Sequence, residues 1–239
     1  MGQQCSTSPS ARSEGDEIPT DIIFHMRVRE KDSPSLRTSL SWKHIPCVEL
    51  FSGKRIVVIY LKGAFFAKCS HMLQDYDRAY DLLLKLGIDD VFCLAGNDSF
   101  VMRQWGLLLQ LPEEKISNLL YTTAVNPGNF RNVKLIPDGS HEFSRKMRTG
   151  VTIDSKGFGE SSTRFSMVVN NLKIEKLFVE VKLHTARPIF LCSINDPTIL
   201  HTPTLQDDDN DSPHAASKSS ADVTTMLKYL RGHVIACKF

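Results

Sequence analysis

What the 239-residue chain lacks narrows its class before any motif is read. It has no surplus charge of one sign. Its 29 Lys and Arg face 27 Asp and Glu, a formal net charge of +2, which is no electrostatic footprint for nucleic acid. Six cysteines are too sparse for a disulfide scaffold, and their spacings match no zinc site, so no metal is expected. No apolar run approaches the ~20 residues that a membrane span needs. The opening residues Met1-Gly2-Gln3-Gln4-Cys5-Ser6 lack the apolar core of a signal peptide. These absences lead to the expectation of a cytoplasmic protein with reduced thiols. What is present is ordinary globular composition, 41% hydrophobic and 23% charged, which rules out wholesale disorder. The length suits one domain with tails.

Residues 1–17 are rich in small polar groups, too poor in apolar ones to offset ordering entropy, and read as a tail. From Ile18 the chain gains pattern. Ile22, Phe24, Met26 and Val28 alternate with polar residues, as in a half-buried strand. The β-branched run Ile56 to Leu61, introduced by Gly53, predicts a strand buried on both faces. Met72, Tyr76, Ala79, Tyr80, Leu83 and Leu84 then recur at helical spacing, with Gly87 as a C-terminal cap. Asp90 to Leu94 reads as a strand, and Ser99 is placed to cap a helix through Trp105 to Leu109. Val133 to Ile136, Phe165 to Val169 and Ile174 to Val181 read as further strands, punctuated by Pro137-Asp138-Gly139 and Asn170-Asn171. Strands alternating with helices argue for an α/β layered fold. The domain would span residues 18–181. Residues 182–219, with the acidic Asp207 to Asp211, read as an insertion or linker. In 220–239, Asp222 would cap a terminal helix whose Val223, Met226, Leu227 and Leu230 share one face and pack back on the domain.

Cys69 follows the buried strand and opens a helix. Free helix N–H groups and the helix dipole stabilise an anion at such a position, which lowers a thiol's pKa and makes it a nucleophile. Lys68 and Lys62 add positive charge nearby. The plain alternative is a buried structural cysteine.

The segment Lys62-Gly63-Ala64-Phe65-Phe66-Ala67-Lys68-Cys69-Ser70 resembles the Pro-Gly-Ala-Phe-Thr-Pro-Thr-Cys-Ser active-site segment of type 5 peroxiredoxins. Further segments resemble the same family in the same order. They are Ile18-Pro19 with Arg27-Val28-Arg29, Glu49 to Arg55, Cys93 to Met102 with Trp105-Gly106, and Ile136 to Gly139 with Glu142-Phe143. Gly157-Phe158-Gly159, Arg164 to Met167, Ile174-Glu175-Lys176 and Phe178-Val179-Glu180 continue the series. Ser220 to Leu230 is similar to the terminal helix of the glutathione- and glutaredoxin-dependent branch. The resemblance implies a thioredoxin-like fold, a central mixed sheet flanked by helices, and no cofactor. It makes Cys69 the peroxidatic nucleophile, oxidised by hydrogen peroxide or an organic hydroperoxide to a sulfenic acid. It makes Arg164 the residue that stabilises thiolate and peroxide. Glutathione with glutaredoxin, or a thioredoxin-like protein, would be the reductant, and the protein would be a homodimer.

Two of the positions that depart from the family pattern are pocket residues. Lys62 stands at the family proline, and Phe66 at the family threonine whose hydroxyl would bond thiolate and peroxide. Two hypotheses follow: a thiol peroxidase with an altered pocket, or an impaired peroxiredoxin fold kept as a redox-sensing or binding module. Cys192 is the candidate resolving thiol, Cys47 and Cys93 read as packed small hydrophobes, and Cys237 is unassigned. Met1-Gly2-Gln3-Gln4-Cys5-Ser6 fits the myristoylation pattern at Gly2, with Cys5 as a palmitoylation site. Two acyl chains would give stable attachment to a membrane surface. Weaker signals are discounted. Asn97-Asp98-Ser99 lacks a secretory context, Gly157-Phe158-Gly159 lacks the third glycine of a dinucleotide loop, and His184, Cys192, His201 and His214 are irregularly spaced for a metal.

Overall fold

The computed structural model describes residues 11–29, 40–110, 129–130, 133–153, 157, 159–180 and 220–236. The strands are β1 (Ile23–Arg29), β2 (Leu40–Pro46), β3 (Arg55–Leu61), β4 (Asp90–Ala95), β5 (Asn129–Phe130), β6 (Val133–Pro137), β7 (Gly150–Ile153), β8 (Gly159–Ser162), β9 (Phe165–Asn170) and β10 (Lys173–Val179). The helices are α1 (Cys47–Phe51), α2 (Ala67–Arg78), α3 (Tyr80–Lys85), α4 (Ser99–Gln110), α5 (Glu142–Met147) and α6 (Val223–Ala236). Six strands form one mixed sheet in the order β10-β9-β3-β4-β6-β5. The pairs β3–β4 and β4–β6 are parallel, while β3–β9, β9–β10 and β5–β6 are antiparallel. This is the expected mixed sheet flanked by helices.

The apolar run of β3 divides by parity, because successive side chains of a strand point to opposite faces. Val57, Ile59 and Leu61 join Cys69, Leu73 and Tyr76 of α2, Met102 and Trp105 of α4, and Met226 and Leu230 of α6. Ile56, Val58 and Tyr60 join Phe51 of α1, Phe143 and Met147 of α5, and Ile18, Ile22 and Phe24. Both faces are therefore covered, and every β3 residue from Ile56 to Leu61 is buried. The parallel centre follows from this double burial.

Local chemistry sets the ends of the elements. At the end of α3, Ile88 N–H donates to Leu83 O (3.3 Å) and Gly87 N–H to Leu84 O (3.0 Å). Gly87 sits at φ +81°, so this is a Schellman stop at the expected glycine. The helical run from Cys69 onward differs from expectation in being two helices. Ala79 (φ −86°, ψ −2°) ends α2, and α3 begins at Tyr80. The cap of α4 is Asp98 rather than Ser99. Asp98 Oδ1 accepts from the amides of Phe100 (2.8 Å) and Val101 (2.9 Å), while Ser99 Oγ donates to His25 O (2.8 Å). A carboxylate one residue earlier offers the better acceptor to two free amides. Asp222 caps α6 as expected, its Oδ1 accepting from Thr225 N–H at 2.8 Å.

Two segments take places that composition does not reveal. The alternating strand β1 pairs with β2 as a separate hairpin rather than joining the main sheet. Its Phe24 is buried beneath that sheet, with Ile22 just ahead of it, while Ile23 stays half-exposed. Residues 11–17, part of the expected tail, run along the sheet's β10 edge. Gly15 N–H donates to Ile174 O (2.8 Å), Glu17 bridges Lys173, and Glu14 pairs with Lys176 at 2.7 Å. Backbone bonds to an open strand edge hold a segment whose own side chains bury almost nothing.

Candidate active site

The site lies where β3 ends and α2 begins. Between them, Ala64 N–H donates to Asn97 Oδ1 at 2.8 Å, which ties the connecting loop to the residues after β4. Gly63 lies close under the Phe66 ring, where a Cβ would come within 2.9 Å of Cε2 and push the ring aside. Phe65 turns at φ +66° and leaves its ring about half-exposed. Phe66 is the N-cap of α2 but supplies no side-chain cap bond, and its half-buried ring packs against the core beneath. Lys62 Nζ stands 5.4 Å from the centroid of that ring. The two altered pocket residues thus face each other, as a cation over an aromatic face.

Cys69 is the third residue of α2 and has no solvent exposure. The Arg164 guanidinium, in the short link between β8 and β9, reaches it as a hydrogen-bond and charge partner. The antiparallel pairing of β3 with β9 brings these residues together across 95 positions of sequence, since Tyr60 pairs with Phe165. Burial works against the charged guanidinium. The Glu180 carboxylate and the Cys69 sulfur outweigh it, and the Arg164 pKa stands above its ordinary value.

Glu180 was not singled out by the sequence reading, yet it organises the site. Its Oε2 accepts from Arg164 Nε, its Oε1 accepts from Lys68 Nζ at 2.8 Å, and its amide donates to Arg164 O at 2.9 Å. Burial raises the carboxyl's pKa, and the bonds from Arg164 and Lys68 more than reverse that, leaving it below the ordinary value. The available signal was its place. An acidic residue directly after the strand that ends in Leu177-Phe178-Val179 shares the sheet end that bears the nucleophile. This corrects one expectation: Lys68 adjoins the thiol in sequence, but its charge is engaged by Glu180 rather than left to act on sulfur alone. On the other side of Cys69, Trp105 Nε1–H donates to Ser70 Oγ at 3.0 Å.

The remaining cysteines separate by burial. Desolvation pushes the Cys47 thiol up to about 12, and drives Cys93 well above its ordinary value, with the nearby Cys69 adding to it. Both are packed within the two cores. Asn97 and Asp98 of the discounted sequon are occupied by the loop bond and the helix cap. Gly157 (φ +70°) lies in the turn between β7 and β8, and Gly159 (φ +64°) opens β8. Gly2, Cys5, Cys192, Cys237, His184, His201 and His214 lie outside the described residues, as does the 182–219 insertion.

The Redoxin family profile matches residues 34–189, well over half of the chain. A peroxiredoxin of Synechocystis is 35% identical over 78% of this chain and 89% of its own length. The chain is a peroxiredoxin. A second relative, a peroxiredoxin of Rhizobium etli, is 39% identical over 66% of this chain and 78% of its own length. Among solved structures, the 1-Cys peroxiredoxin of Plasmodium falciparum shares the fold at a TM-score of 0.63, with 22% identity over 92% of this chain and 99% of its own. The thioredoxin-like fold and membership of a family of thiol peroxidases follow. This peroxiredoxin therefore places an anion-stabilising helix start, a buried thiol and a fixed guanidinium at one point.

Proposed function

We propose that this peroxiredoxin is of the type 5 kind and reduces hydrogen peroxide or organic hydroperoxides through Cys69. The observation that carries the reading is the fully buried Cys69 at the start of α2 with the Arg164 guanidinium, held by Glu180, as its charge partner. The Cys69 thiolate attacks one peroxide oxygen. The O–O bond breaks as the S–O bond forms, and the second oxygen leaves as hydroxide or alkoxide and takes up a proton. Cys69 becomes a sulfenic acid while the peroxide becomes water or an alcohol. Arg164 stabilises the thiolate and then the negative charge that develops on the departing oxygen. A first reductant thiol displaces the sulfenic oxygen as water to give a mixed disulfide, and a second restores Cys69.

Glutathione with glutaredoxin is the reductant favoured here, supported by the likeness of Ser220 to Leu230 to that branch, and a thioredoxin-like protein is the competitor. Cys192 is the candidate for an internal resolving thiol. A homodimer is proposed with it, for which the half-exposed rings of Phe65 and Phe100 are apolar surface available to a second copy. Dual acylation of Gly2 and Cys5, and with it attachment of a cytoplasmic protein to a membrane surface, rests on the N-terminal pattern. Among the described residues no helix is long and apolar enough to cross a membrane. A Gly2→Ala variant that stays membrane-associated would remove this part.

The deciding experiment is the rate of Cys69 oxidation by hydrogen peroxide, read by sulfenic-acid trapping and intact mass, with Cys69→Ser as control. Oxidation far faster than that of a free cysteine, absent in the control, supports the reading. A second reading, a redox-sensing module, draws on Phe66, which puts a phenyl ring where a hydroxyl would serve peroxide. It predicts one oxidation per chain without turnover when glutathione and glutaredoxin are supplied.

A further inference from the structure

Among the described residues Glu180 is the one carboxylate that binds both Arg164 and Lys68, and the chemistry proposed above uses neither it nor Lys68. Its oxygens are divided: one takes Arg164 Nε, the other Lys68 Nζ at 2.8 Å. The Glu180 and Arg164 side chains are only 14% and 11% exposed, so their pairing acts in a poorly solvated setting. Arg164 extends from the link before β9, Lys68 from the second residue of α2, and Glu180 from the end of β10. The carboxylate therefore joins three elements around one sulfur. Guanidinium nitrogens are fixed in a plane, so holding Nε at Glu180 sets where the remaining N–H groups point.

We propose that Glu180 is the positioning residue of this peroxiredoxin, orienting the Arg164 guanidinium toward Cys69 while Lys68 fastens the same carboxylate to the first turn of α2. The inference rests on the peroxidase reading above and deepens it. The two consequences of Glu180 have opposite signs. Its negative charge opposes the thiolate, but its bond to Arg164 creates the alignment that a developing oxygen anion needs. Cys69 meets Arg164 from the link ahead of β9 and the Cys93 thiol from β4, while Lys68 of α2 and Glu180 after β10 pair with each other, Glu180 also holding Arg164.

The test is Glu180→Gln, which keeps size and removes charge. Thiolate formation is followed by ultraviolet absorbance against pH, as the difference between each protein and its Cys69→Ser counterpart. Oxidation by hydrogen peroxide is measured on the alkaline plateau, where the thiolate is fully formed. In Glu180→Gln the Cys69 titration moves to lower pH, because two cations lose their shared counter-charge. The plateau rate falls at least about tenfold, the size of one hydrogen bond to a charged group expressed in a rate. A purely structural loss would not lower the titration while slowing the reaction. Lys68→Met moves the titration upward and lowers the plateau rate by less than Glu180→Gln does, since Glu180 loses its tie to α2 but keeps its bond to Arg164. A Glu180→Gln plateau rate equal to wild type, or a titration that moves upward, overturns the positioning role and leaves the peroxidase reading standing. A wild-type rate no better than that of a free cysteine overturns the peroxidase reading itself.

Discussion

Phe66→Thr tests what the altered pocket costs, and the structure separates its effect on stability from its effect on rate. Phe66 holds the N-cap of α2 at φ −65° and ψ 129°, a backbone that threonine adopts without change. A threonine Oγ1 there would accept from the amide of Cys69, the third helical residue, which contributes about 1 kcal/mol. Against this stands lost packing. Truncating a fully buried phenylalanine to alanine costs ~3–5 kcal/mol, so a half-buried ring replaced by a side chain that keeps one methyl forfeits roughly 1.5–2. The Lys62 contact adds about 0.5–1 kcal/mol to the loss. The balance is a destabilisation of about 1–2 kcal/mol, or a fall in Tm of about 2–8 °C for a domain of this size. The rate moves the other way. The new hydroxyl can donate to thiolate or peroxide, a bond to a charged group worth ~1.5–3 kcal/mol, which raises Cys69 oxidation by about one to two powers of ten. Stopped-flow oxidation with sulfenic-acid trapping reads the rate, and thermal unfolding reads the stability. A variant that melts lower but reacts at the wild-type rate would refute the reasoning, showing that a hydroxyl at position 66 does not reach the reacting atoms.

Arg164→Lys keeps the charge but loses the planar set of donors, so peroxide oxidation of Cys69 should fall at least about tenfold while the protein stays folded by circular dichroism. Glu175 accepts from Arg55 Nε at 2.8 Å and from Tyr229 OH at 3.0 Å, joining β10 to β3 and α6. The Arg55 bond holds its carboxyl below the ordinary 4.5 despite burial, so its stabilisation is present above pH 4.5 and is lost as pH falls through the lower folded value. Glu175→Gln should therefore lower stability at pH 7 by about 1–3 kcal/mol and flatten the acid limb below pH 4.5 in denaturant titrations. Cys47 and Cys93 should stay unalkylated by iodoacetamide at pH 8 in the native protein, as peptide mapping would show, and labelling of either would contradict their burial.

Much of this molecule is written in local sequence. The run Ile56 to Leu61 is β-branched and continuous because β3 is buried on both faces, and that alone places a strand ahead of Cys69. Gly87 stops α3 because only a residue tolerant of positive φ completes the Schellman bonds. Cys69 at a strand-to-helix junction marks a nucleophile by position, and the ordered segments from Lys62 to Glu180 identify the family. Other features follow pairings that no short segment encodes. Whether Ser99 or Asp98 caps α4 depends on Ser99 Oγ donating instead to the His25 carbonyl, 74 positions away. The tail-like residues 11–17 are held by an exposed strand edge rather than by their own composition. Sequence placed Lys68 next to the thiol and so on its side electrostatically. Tertiary structure gave that charge to Glu180, because the β3–β9–β10 register carries residue 180 to the start of α2. The same register sets Arg164 against Cys69. Residue type thus determined which groups could do the chemistry, and the pairing of distant strands decided which charges meet at the sulfur, because Coulomb and hydrogen-bond energies fall off over a few ångströms whatever the separation along the chain.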